Sequence, residues 1–202
     1  MLITWGDLYL HGCEPNNKLF EYAAAPVRFD QLYKDPWFIF PILGLSLSLS
    51  QLSQTELVQY HLGNGLTKSD LYNDAWKQYY LVGFGEEMFF RGLVLEGFND
   101  SFRAWEFSPN ASRHLSIFGS AAVFGLAHNG QGLSANSLSA FASGVYLGYA
   151  YMPEVNQREM ARVIALHAWW DILISYAYFN NAEFFEGQSK VEIPVATISF
   201  RF

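Results

Sequence analysis

The residues with the types and spacing to do chemistry fall in three short runs. The first, Gly83-Phe84-Gly85-Glu86-Glu87-Met88-Phe89-Phe90-Arg91-Gly92, sets two adjacent carboxylates inside an apolar stretch. On a helix Glu87 and Arg91 stand four apart with the acid N-terminal, the favourable order for an ion pair. Glu86 points about 100° away and has no partner nearby in the sequence. A carboxylate so placed either keeps a proton or holds a water, and both suit a general base. The second run, Phe124-Gly125-Leu126-Ala127-His128, closes an apolar stretch on an imidazole one turn beyond an aromatic ring. The third, His167-Ala168-Trp169-Trp170-Asp171, puts two polar groups on one helix face. Each run alone has a plain structural reading: a solvated acidic face, a cation at a helix C-terminus, a His–Asp hydrogen bond between helices. Yet the flanks Leu81-Val82, Met88-Phe89-Phe90 and Leu93-Val94-Leu95 leave little wet face for the first. Together Glu86, His128, His167 and Asp171 are four ionisable groups on three apolar segments, able to converge on one interior site. A water between a carboxylate and an imidazole is a nucleophile for amide hydrolysis. A second imidazole can donate to the developing oxyanion.

The elements that must position these groups are read from the distribution of charge. The chain has 202 residues, 51% apolar and 18% aromatic, with only 15% charged. That excludes a disordered chain. The single Cys13 excludes a disulfide scaffold, a zinc ribbon and an iron–sulfur protein. The net charge of −7 argues against a nucleic-acid partner. Neither a Gly-rich phosphate loop, nor His-Glu-x-x-His, nor Gly-x-Ser-x-Gly competes with the three runs. Mean hydropathy is +0.07, but the charges are unevenly spread. The 20 residues between Asp35 and Glu56 and the 40 between Arg113 and Glu154 carry none, and the 20 between Arg162 and Glu183 carry only Asp171. A membrane-spanning helix needs about 20 mostly apolar residues. The expected fold is therefore all-α, a polytopic transmembrane bundle of four to five spanning helices. An irregular or interfacial segment occupies 1–35, the helical core 36–182 and a short strand-like tail 183–202, with alternation clearest over 191–202. Helices are expected over 37–52, from a cap at Ser69 through to Phe98, and over 115–128, 138–152 and 161–179, with a charged loop over 99–112. Gly144 and Gly148, four apart, form a small-residue face for close helix approach. An outer-membrane barrel lacks the ten-residue alternating segments it would need.

The three runs, in this order, resemble the motifs of the CPBP family. That family covers the type II CAAX prenyl endopeptidases and the bacteriocin-processing or immunity proteins also called Abi. Phe141-Ala142-Ser143-Gly144-Val145-Tyr146-Leu147-Gly148 is similar to the family's glycine-bearing helix, so the resemblance covers about 79–180. It implies an all-helical intramembrane endopeptidase of a prokaryotic cytoplasmic membrane, with a peptide or membrane protein as substrate, the lipid bilayer around it and no nucleic acid. Carried over, Glu86 and His128 activate a water, and His167 with Asp171 stabilises the oxyanion. Glu87, Arg91 and Phe124 support them. The glutamic mechanism, with no cofactor, is favoured over the metal-dependent one, for which Glu86, His128 and His167 would hold Zn²⁺. The third motif commonly ends in Asn in the family and here in Asp171. An ionised Asp only accepts hydrogen bonds, so Asp171 either is protonated or orients His167. The alternative reading is a family-fold membrane protein that does not cleave and acts in peptide binding, bacteriocin immunity or scaffolding.

Overall fold

The computed structural model describes residues 17–50, 59–62, 67–128, 135–181 and 183–186. Its elements in chain order are α1 (Asn17–Ala24), a 3-10 turn (Ala25–Val27), α2 (Phe29–Leu32), α3 (Pro36–Ser50), β1 (Gln59–Leu62), α4 (Lys68–Glu87), a π-helical segment (Met88–Leu95), α5 (Glu96–Ala104), α6 (Pro109–Ala127), α7 (Ala135–Tyr151), α8 (Met160–Asn181) and β2 (Glu183–Glu186). The expected helical class holds, with one addition. β1 and β2 pair in parallel, Gln59 opposite Glu183 through Leu62 opposite Glu186, so α4 to α8 lie within the crossover that parallel strands require. The alternation expected over 191–202 lies outside the described residues.

The helix α8 is the axis of the bundle, packing against α1, α3, α4, α7 and the π-helical segment. Its Val163, Ile164, Ala165 and Ala168 are fully buried, and each large aliphatic side chain taken out of water contributes about 1.5–3 kcal/mol. Close approach of helices depends on glycine at two places. A Cβ on Gly83 would come within 2.7 Å of the Ala168 backbone nitrogen, where α4 crosses α8, and one on Gly148 within 2.8 Å of Ile117, where α7 crosses α6. The first contact sets Glu87 beside His167; the second, with Gly144 against Ala121, draws α7 onto the helix that ends in His128.

Four expectations are corrected. No helix among the described residues is long and apolar enough to cross a membrane. The charge-free window 114–153 is not one continuous helix but is divided between α6 and α7, and the described part of α3 has 15 residues, about 22 Å at 1.5 Å per residue. The longest helix, α8, has 22 residues but carries Arg162, His167 and Asp171. Secondly, residues 17–32, expected to be irregular, form short helices, and Trp169 Nε1 donates to the Pro26 carbonyl at 2.7 Å, tying them to α8. Thirdly, α4 is capped by Thr67 rather than Ser69. The Thr67 side chain accepts from the Asp70 amide and the Asp70 carboxylate accepts from the Thr67 amide, a reciprocal capping box. Fourthly, the charged loop expected over 99–112 shrinks to 105–108. α5 runs on to Ala104 and ends as the Glu106 amide donates to the Arg103 carbonyl and the Phe107 amide to that of Phe102, the two bonds of a Schellman turn. Ser108 then caps α6, with Pro109 in its first turn.

Candidate active site

Glu86 and Glu87 end α4, and the chain then winds more widely through the π-helical segment that carries Arg91. Such segments are rare and concentrate at functional sites. This one is braced from outside, since the Ser120 hydroxyl of α6 donates to the Phe90 carbonyl at 2.8 Å. Glu87 and Arg91 are fully buried and paired, Arg91 Nη1 lying 3.1 Å from Glu87 Oε1. Nη2 of the same guanidinium donates to the Gly144 carbonyl at 3.2 Å, and its carbon sits 4.9 Å over the Phe124 ring. Arg91 thereby joins the π-helical segment to α6 and α7.

His128 caps the C-terminus of α6. Its Nδ1 lies 2.8 Å from the Phe124 carbonyl, and since a carbonyl only accepts, Nδ1 is the donor. The other nitrogen, Nε2, faces Glu86 Oε2 at 3.6 Å. His167, in the middle of α8, meets Glu87 Oε1 through Nδ1 at 2.6 Å. Its Nε2 lies 3.4 Å from Asp171 Oδ2 and 3.9 Å from Glu86 Oε2. All four ionisable groups expected to converge do so, and Glu86 Oε2 sits between the two imidazoles. That oxygen is buried without a hydrogen-bond partner, as are Glu87 Oε2 and Arg91 Nε. Phe124 is buried and edges three groups: the His128 ring at 4.2 Å, the His167 ring at 5.9 Å and the Phe90 ring at 4.9 Å. A cavity of about 280 Å³ lined by Leu81, Val82, Gly85, Glu86, Phe89 and Phe90 reaches Glu86 from outside the bundle.

Sequence reasoning missed three contributors. Glu87 was paired only with Arg91, yet it also holds His167, 80 residues away, a contact that no local spacing reports. The Gly144 carbonyl and the Ser120 hydroxyl were also unseen; the small-residue character of the α6–α7 interface was the available signal. For a metal, no group of three or more His, Cys, Asp or Glu side chains among the described residues is arranged to hold an ion. The alternative set of Glu86, His128 and His167 does not form such a group.

The architecture and site together define a helical protein with a carboxylate–imidazole cluster where three helical elements meet, Glu87, His167 and Asp171 buried and Glu86 and His128 about one-third exposed. Residues 75–173, just under half of the chain, match the family model described as type II CAAX prenyl endopeptidase Rce1-like, and the match supports membership of that family, a family of proteases. The match spans all seven of Glu86, Glu87, Arg91, Phe124, His128, His167 and Asp171. No curated protein and no solved structure is significantly similar to the chain.

Proposed function

We propose that the protein is an endopeptidase that hydrolyses a peptide bond with a water held between Glu86 and His128. The observation that carries this reading is the orphaned Glu86 Oε2, buried and facing the Nε2 atoms of two imidazoles. With its Nδ1–H committed to the Phe124 carbonyl, neutral His128 presents a lone pair at Nε2 to a carboxylate that also only accepts. Two facing acceptors are satisfied by a molecule with two donors, and water is the smallest. Held so, it loses a proton to Glu86 as its oxygen attacks the carbonyl carbon. His167 is placed to donate to the oxygen that gains charge. Substrate reaches Glu86 through the apolar cavity.

Proteins of this family are membrane-embedded, and the surface supports lipid around this chain too. Large apolar side chains point outward along the helices, Phe40, Leu43 and Leu47 on α3 and Leu115, Phe118 and Leu126 on α6, while Glu87, Arg91, Ser112, Ser116 and Ser120 are buried inside. Polar groups inward and apolar groups outward is the arrangement lipid favours.

The test is cleavage of a quenched peptide panel by the detergent-purified protein beside its Glu86→Ala and His128→Ala variants. Each variant is expected to lose activity by about 10²–10⁴-fold, the usual worth of a positioned acid or base. Peptide binding without cleavage, unchanged in both variants, would replace this reading with the non-cleaving alternative.

A further inference from the structure

The two histidines of the site are held in opposite ways. His128 is anchored by a neutral carbonyl and turns a free nitrogen to Glu86. His167, buried, has a carboxylate at each end: Glu87 Oε1 at 2.6 Å from Nδ1, and Asp171 Oδ2 at 3.4 Å from Nε2 with Glu86 Oε2 beyond it at 3.9 Å. The charged and titratable groups around this ring, among the described residues, are Glu86 and Glu87 from α4, Arg91 from the π-helical segment, His128 at the end of α6 and Asp171 from its own helix. Arg91 pairs directly with Glu87 and acts more weakly on Glu86; Glu86 and Asp171 lie on the Nε2 side. Only a doubly protonated imidazole can donate from both nitrogens, and charge-assisted bonds to carboxylates favour that form. Environments that drive two like groups apart in proton affinity mark which is the base and which the acid.

We infer that His167 is the general acid of the reaction, an imidazolium that delivers its Nε2 proton to the leaving amine, with Asp171 and Glu87 as positioning residues that keep the ring protonated and aimed. The inference rests on the hydrolase reading above and carries it one step on: the Nε2–H that donates to the oxyanion is the proton then passed to the leaving amine. The step balances. The water oxygen bonds to the carbonyl carbon and one water proton passes to Glu86. The carbon–nitrogen bond then breaks, its electron pair stays on nitrogen, and the His167 proton makes that nitrogen a neutral amine. Glu86 is left protonated and His167 neutral, and return of the proton between them, across the 3.9 Å gap, restores the site. The second product leaves as a carboxylic acid.

Two measurements on the full chain in detergent test this. Imidazole ¹⁵N spectra of protein labelled at histidine, with His167→Gln to assign the signal, read the protonation of His167 directly. The ring is expected to be doubly protonated at pH 7, and Asp171→Asn is expected to lower its titration by one unit or more, because an adjacent carboxylate favours the charged ring by about 1–3 units. The second measurement compares a peptide amide with the nitrophenyl ester of the same acyl group. An amine must be protonated as it leaves, whereas nitrophenolate departs as an anion. Asp171→Asn and His167→Gln should therefore lose about 100-fold more on the amide than on the ester, within the usual range for a general acid. A neutral His167 at pH 7, a titration unmoved in Asp171→Asn, or equal losses on both substrates would overturn the inference and leave the hydrolase reading standing. A wild-type protein that cleaves neither substrate would overturn the hydrolase reading, and the acid's role with it.

Discussion

Glu87 and Arg91 show what a buried pair demands of its neighbours. Both are out of water, and one carboxylate oxygen serves two donors, Arg91 Nη1 and His167 Nδ1. Removing the guanidinium takes from Glu87 one of the two donors on that oxygen, and breaking a buried pair costs about 3–5 kcal/mol. Arg91→Met is therefore expected to lower unfolding stability by about that amount in chemical denaturation. Adding Glu87→Gln to it should recover a large part of the loss, because the stranded charge is then gone. An Arg91→Met protein as stable as the wild type would show that the pair contributes nothing net. The i,i+4 pairing was legible from spacing alone, as was Glu86's lack of a local partner. The bond from Glu87 to His167 was not, because it depends on how closely α4 and α8 approach, which Gly83 decides. With no ligand cage around Glu86, His128 and His167, peptide cleavage is expected to be unchanged by EDTA. Loss on chelation with recovery on added Zn²⁺ would move the water's activation to a metal.

At the scale of elements, the charge-free windows located the helices but not their ends or their winding. Periodicity cannot separate an α-turn from the wider π-turn of Met88–Leu95, since both present the same apolar residues in the same order; the wide turn offers its Phe90 carbonyl to Ser120 of another helix, a contact no local pattern reports. The junction of α5 and α6 was misread for a different reason. Asn99, Asp100 and Arg103 look like loop residues by type, yet they lie on a helix with Asn99 turned inward. The stop comes later, at Glu106, which adopts φ of 63° where glycine usually closes a Schellman turn. The left-handed conformation costs a residue with a Cβ roughly 1–2 kcal/mol, and Glu106 is exposed, so little else depends on its side chain. Glu106→Gly is expected to raise stability by about 1 kcal/mol with cleavage unaffected, measured as a shift of the denaturation midpoint at constant slope. A drop would mean that the Glu106 side chain holds the turn in a way its backbone geometry does not reveal.

For the whole molecule, the sequence supported a helical bundle around a polar site but overstated its helices as complete spans. The charge-free stretch 114–153 is interrupted between α6 and α7, so composition over a window and continuity of a helix are separate quantities. What survives is the distribution of polarity in three dimensions. Phe40 is 73% exposed, Leu47 65% and Leu126 59%, while Glu87, Arg91, His167 and Asp171 are buried inside. In water such an exterior is a large apolar patch of the kind that marks an interaction surface; against acyl chains it costs nothing, and the buried polar cluster gains from the dry surroundings. An environment-sensitive fluorophore on Leu43→Cys or Leu126→Cys, each also carrying Cys13→Ser so that one thiol is labelled, should emit at shorter wavelength once the protein is reconstituted in liposomes. The same label on Glu154→Cys, in the exposed turn between α7 and α8, should keep its aqueous emission. Aqueous emission at all three positions would mean that the apolar exterior meets something other than lipid. Blue-shifted emission at the two helix positions alone would mean that the carboxylate–imidazole cluster works within a sheath of acyl chains, and that a substrate entering past Leu81 and Phe89 comes to Glu86 from the lipid side.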